Sequence, residues 1–193
     1  MKYRDHTKRV VDVILSSILL ILSSPVIAAA LLLVRTSSAG PVFFTQPRVG
    51  KHERVFRIYK IRTMAVDPNR LVSQTRDRDA DVLPIGRFLR RFKIDELPQL
   101  LNVLKGDMSV IGPRPCLQST VETMPSQAKR RFELRPGLTG LAQINGNVEL
   151  SWKDRWVHDV SYVDECSLLL DVQILLKTIL VVVAGEGRFR SVK

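Results

Sequence analysis

The sequence predicts a mainly helical α+β chain: an N-terminal re-entrant helix (helix, break, helix) in the membrane, followed by one small domain with short strands and interfacial helices. Three observations predict it. An apolar run from Val10 to Val34 is long enough to cross a bilayer at about 20 residues per crossing. Apolar residues then alternate around Gly50, which is the pattern of short strands. Leucines later recur at helical spacing from Leu97 to Leu104. The expected division is residues 1–36 as anchor and residues 37–193 as a single domain, since 193 residues leave little room for more.

The anchor begins after MKYRDHTKR and reads VVDVILSSILLILSSPVIAAALLLV, with Asp12 as its one acid. A cleaved signal sequence fits poorly, because the apolar run continues past the small residues Ala28 to Ala30. Both flanks are basic, and basic flanks favour the cytoplasmic side. Ser24 and Pro25 offer a way to keep both there. Pro25 removes a backbone donor inside the helix, and serine hydroxyls can satisfy the groups it frees. A break at Ser24-Pro25, with the chain entering and leaving through one leaflet, is therefore expected, and a Pro-kinked straight span is its competitor.

Beyond the anchor, PVFFTQPRVGKHERVFRIYKIRTM reads as two extended segments around a Gly50 turn, with Lys60 and Arg62 on one face. Residues 66–84 are polar and read as a surface loop. IGRFLRRF places Arg87, Arg90 and Arg91 on a short helix with Phe88, Leu89 and Phe92 as its apolar members. Leu97, Leu100, Leu101 and Leu104 give the next helix one buried face, ended by Gly106, with Asp95 as its expected N-cap and Pro98 in its first turn. The final run, SLLLDVQILLKTILVVVAGEG, contains Asp171 and Lys177, which favours a core or interfacial helix over a second span.

Charge narrows the function. The chain carries +11, and the stretch from Arg35 to Arg114 holds +8 of it, surrounding the adjacent acids Asp95 and Glu96. Such a field implies an anionic partner: a nucleotide, a lipid phosphate or headgroup, or nucleic acid. Two cysteines without a CxxC pair and three scattered histidines argue against a disulfide framework and against a zinc site. No phosphate-binding glycine loop and no GxSxG nucleophile elbow is present.

Two adjacent carboxylates with no nearby histidine or thiol suit a hard cation such as Mg2+ that keeps waters and takes phosphate oxygens. Arg114 lies on a stiff Pro113-Arg114-Pro115 segment. Metal, anion clamp and a carboxylate nucleophile are the parts of a phosphoryl-transfer site.

The run KIDELPQLLNVLKGDMSVIGPRP, preceded by FRIYKIRTM and GRFLRRF and followed by RPGLTGLAQINGN, resembles the bacterial sugar transferases, the monotopic polyprenyl-phosphate phosphoglycosyl transferases. The similarity runs over nearly the whole chain in the same order. It implies a minimal catalytic core at the cytoplasmic face of the bacterial inner membrane. Asp95 would attack the sugar-bearing phosphate of a UDP-sugar and expel UMP. Polyprenyl (undecaprenyl) phosphate would then take the phosphosugar from the aspartate. Glu96, with Asp95, would hold Mg2+; Arg114 would hold a phosphate, and Arg90, Lys60 and Arg62 are further candidates for the anionic ligands. Membrane lipid is an expected partner and nucleic acid is not. Lys93-Ile94 departs from the Ser-Leu that the family more often carries before the acids. A Mg-dependent membrane phosphohydrolase and a basic membrane adaptor without activity are the alternatives.

Overall fold

The computed structural model describes residues 3–66 and 81–184. It is mainly helical with short strands, as the sequence predicts. A π-helical turn, Tyr3–Thr7, leads into α1, Lys8–Ser37. The expected break does not occur: α1 runs through Ser24 and Pro25 as one helix of 30 residues. The reason lies in the local hydrogen bonding. Pro25 cannot donate to the carbonyl four residues back, Ile21, and the Ser24 hydroxyl donates to that carbonyl at 2.8 Å instead. The freed acceptor is satisfied, and the helix has no need to open.

The faces of α1 are inverted relative to a helix packed in water. Lys8, Asp12 and Ser16, one turn apart, are the residues buried in its first half, while Val10, Val11, Ile14, Ile18, Ile21 and Leu22 are exposed. Lys8 pairs with Asp171 at 2.5 Å. Asp12 accepts from the Ser109 hydroxyl and the Val110 amide, both at 2.9 Å. At the other end Ala30 and Val34 pack with Ile61 and Leu89. Both ends of α1 therefore rest on the same body.

That body opens with an antiparallel hairpin of β1, Phe43–Val49, and β2, Val55–Ile61, in register from Phe43 opposite Ile61 to Val49 opposite Val55. The turn is tight because His52 and Glu53 both adopt positive φ, 56° and 57°. α2, Pro84–Arg91, buries Leu89 but leaves Phe88 exposed, its ring centroid 4.9 Å from that of Phe92, the exposed residue that caps the helix. Most of the expected loop over 66–84, and the GEG that ends the final apolar run, lie outside the described residues.

Leucine spacing predicts a helix from Asp95, but the α-helical part, α3, is only Leu100–Lys105. Ile94–Gln99 before it winds as a 3-10 helix. Pro98 accounts for the difference, since it disfavours α geometry at Leu97 and supplies no amide. Leu100 is buried as expected, whereas Leu101 is exposed and Val103 takes its place in the core. Gly106 ends α3 at φ 91°, the left-handed conformation that favours glycine.

β3, Ser109–Ile111, follows, then α4, Gln118–Glu122, and a 3-10 segment, Ser126–Glu133. β4, Gly137–Thr139, pairs parallel to β3. Here Gly112 and Gly137 approach so closely that a Cβ on Gly137 would lie 2.1 Å from the Gly112 nitrogen. α5, Leu141–Ile144, leads to α6, Trp152–Glu165, whose N-cap Ser151 hydroxyl accepts from the Asp154 amide. α7, Leu168–Ala184, closes the described chain. It buries Asp171 and Ile174 and exposes Leu168, Leu169, Val172, Leu176, Ile179, Leu180 and Val183, so one face packs on the body and the other is open and apolar. The main core joins Ile58, Val103, Met108, Val110, Ile111, Tyr162 and Ile174, and binds hairpin, α3, β3, α6 and α7 together.

Candidate active site

Asp95 and Glu96 lie side by side in the 3-10 segment, which Lys93 enters in a left-handed conformation at φ 56°. Asp95 is not the N-cap that its position predicts; no side-chain cap occurs there, and its Oδ1 is buried with no hydrogen-bond partner. An uncompensated carboxylate oxygen in a buried position is costly. Burial first, and the neighbouring Glu96 second, push Asp95 up to about 6, against the pull of Lys60, Lys93 and Arg90.

Glu96 has the opposite surroundings. Burial works to raise it, but Arg114 and Lys60 outweigh burial and hold it well below the usual carboxylate range. Arg114 grips it with two donors, at 2.6 and 3.3 Å, and Lys60 from β2 donates at 2.7 Å. One acid is thus clamped and held toward its ionised form, while its neighbour is raised and more basic, so the environment pushes the two carboxyls apart in acidity.

The remaining residues singled out by the sequence divide. Arg90 donates to the Thr63 hydroxyl at 2.9 Å and contributes positive field at Asp95. Arg62, expected beside Lys60, is buried and directed elsewhere. Its guanidinium closes the C-terminal end of α1 by donating to the Ser38 and Ala39 carbonyls, where the helix dipole favours a cation. The strand ends at Ile61, so the alternation that put the two on one face does not extend to Arg62.

Sequence reasoning missed three arginines and an acid that surround Arg114. Arg48, on β1, is drawn down to about 10 by burial and by Arg114. Arg131 donates to the Arg114 main-chain carbonyl and pairs with Asp159 at 3.1 Å. Arg155 lies over the Trp152 ring and is lowered by burial and by Arg114. Their positions are far apart in the chain and carry no spacing signal; only the fold assembles them.

A buried acid sits beside a clamped carboxylate, ringed by cations that suit a phosphate-like anion, and the long apolar helix of the same body is consistent with membrane association. The chain belongs to the bacterial sugar transferase family, whose model matches residues 3–185. It is 42% identical to the sugar transferase EpsL of Bacillus subtilis, over 93% of this chain and 89% of that protein. It is 41% identical to a UDP-glucose:undecaprenyl-phosphate glucose-1-phosphate transferase of Caulobacter vibrioides, over 91% of this chain and 69% of that protein. It is 40% identical to a UDP-N-acetylgalactosamine-undecaprenyl-phosphate N-acetylgalactosaminephosphotransferase of Aeromonas hydrophila, over 93% of this chain but 44% of that protein.

Proposed function

We propose that this enzyme transfers a sugar-1-phosphate from a UDP-sugar to undecaprenyl phosphate, the step that starts a surface polysaccharide on its lipid carrier, with Asp95 as covalent nucleophile. The observation that carries the reading is the buried, unpartnered Oδ1 of Asp95 beside a Glu96 held by Lys60 and Arg114. An Asp95 oxygen bonds to the phosphorus that bears the sugar, and the bond from that phosphorus to the UMP oxygen breaks, UMP leaving with the electron pair. A phosphate oxygen of undecaprenyl phosphate then attacks the same phosphorus and returns the carboxylate. Arg114 and Lys60 steady the charge of the diphosphate, and Arg90 adds positive field at the nucleophile.

Among the described residues no group of three or more His, Cys, Asp or Glu side chains gathers. Two adjacent carboxylates fit Mg2+ that arrives with a diphosphate and takes its other ligands from phosphate and water. Glu96, with Asp95, would hold it, and when bound it supplies neutralising charge to the phosphates.

The fold also supports a same-side anchor. A helix of 30 residues is about 45 Å long, yet Lys8 and Asp12 near one end and Ala30 and Val34 near the other contact one small body. A straight crossing of roughly 30 Å of hydrocarbon would pull one set away. We therefore place residues 1–36 in the cytoplasmic leaflet, both flanks on the cytoplasmic side, with residues 37–193 as the catalytic domain.

The purified protein given UDP-sugar alone is expected to release a burst of UMP near one equivalent, and Asp95→Asn none. Continuous UMP release without lipid phosphate would instead identify a phosphohydrolase.

A further inference from the structure

Arg114 sits between Pro113 and Pro115, and neither proline has an amide to anchor the segment. Its carbonyls do the holding. Pro113 accepts from the Gly137 amide at 3.0 Å, and Cys116 accepts from the Val49 amide at 2.9 Å. The Arg114 carbonyl accepts instead from a side chain, the guanidinium of Arg131. Arg131 is held in turn by Asp159 of α6 at 3.1 Å, and the two side chains are only 4% and 3% exposed.

A buried ion pair is a poor source of stability, because removing both charges from water offsets their attraction, and apolar residues of similar size would cohere as well. An apolar pair could not donate to a carbonyl. The Asp159 Oδ1 is buried without a partner, a further cost to the fold. What the pair delivers is a fixed main chain at Arg114, whose guanidinium then meets Glu96 with two donors.

We propose that the buried Arg131–Asp159 pair is the positioning element of the Arg114 clamp, and that it acts on the transfer reaction only through Arg114. This rests on the reading of Arg114 as the anion clamp of the transferase. Arg131 and Asp159 are positioning residues; neither touches the reacting atoms.

The test is a double-mutant cycle read by single-turnover UMP release from UDP-sugar, with thermal unfolding to check folding. Arg131→Met is expected to slow release about tenfold or more, the scale of one charged hydrogen bond lost, and to slow it by less than about twofold in an Arg114→Met background. Asp159→Asn, nearly isosteric, serves if Arg131→Met does not fold; its smaller loss must likewise vanish without the Arg114 guanidinium. Equal losses in both backgrounds, or none in either, overturn the inference and leave the Arg114 reading standing. Wild-type release by Arg114→Met alone overturns both.

Discussion

Replacing Asp95 by asparagine should stabilise the protein while it abolishes the covalent step. The carboxylate is 5% exposed, its Oδ1 has no partner, and it lies beside a second acid. Its folded value of about 6 stands against an ordinary 3.8. The folded state therefore holds the proton more tightly than the unfolded chain does. The ionised form costs stability in full above about 6, and the cost fades as the pH falls to about 4. A shift of this size corresponds to roughly 3 kcal/mol at pH 8. Asparagine removes the charge but brings an amide that must find partners, so a net gain of about 1–3 kcal/mol is expected, or about 2–12 °C in Tm for a chain of this length. Thermal unfolding in detergent at pH 8 and pH 4, for wild type and Asp95→Asn, measures it. The gain should be large at pH 8 and small at pH 4. A variant no more stable at pH 8, or equally stabilised at both, would refute the claim that Asp95 is a buried anion held at a cost.

UMP release should be level above pH 6 and fall about tenfold per unit below it, because Asp95 must be ionised to attack. Asp159 is also raised to about 6, by burial, so this acid limb has to survive Asp159→Asn; a flat profile from pH 5 to 8 contradicts the nucleophile. Glu96→Gln should slow release by about 100-fold or more, since it frees Lys60 and Arg114 from their shared carboxylate. Lys8→Met or Asp171→Leu alone should cost about 3–5 kcal/mol in unfolding experiments, and the double substitution should recover part of it, as for a buried pair that binds two helices. Cysteines at exposed His6 and Ala39 should both react from the cytoplasmic side in spheroplasts; reaction from opposite sides would refute the same-side anchor.

The hairpin, a final helix with Asp171 inside an apolar run and the helix end at Gly106 were legible because each depends on local pattern: alternation, a charge within an apolar run, a glycine where φ must be positive. Juxtaposition of Asp95, Glu96, Lys60 and Arg114 followed from residue type in a basic stretch and from family resemblance. Pro25 misled in an instructive way. Its missing amide was readable, but whether Ser24 would take over the Ile21 carbonyl depends on a rotamer that no spacing reveals. Leu101 misled because a helical wheel drawn from Asp95 assumes α geometry, and Pro98 shifts the phase by imposing a 3-10 turn. Arg62 lay one residue beyond the strand. Arg131 and Asp159 were invisible, since nothing in a sequence shows which arginine reaches a main-chain carbonyl 17 residues away.

The polar stripe of α1 is tied to the segments that carry the acids and Arg114. Arg9 donates to the Val103 and Leu104 carbonyls, at 2.5 and 2.8 Å, at the C-terminal end of α3. α3 is continuous with the 3-10 segment that carries Asp95 and Glu96. Asp12 in the same stripe holds Ser109 and Val110 of β3, the strand that runs into Pro113-Arg114-Pro115. Both halves of the site, acids and clamp, are therefore tied to one face of one helix whose opposite face is apolar. A water-facing helix would bury its leucines and leave Lys8, Arg9 and Asp12 to solvent. In the proposed membrane placement, this inverted order gives the apolar face to lipid and lets the few polar groups set the height of the acid pair above the hydrocarbon. An acceptor whose phosphate is fixed at the headgroup level by its own tail requires such a fixed height.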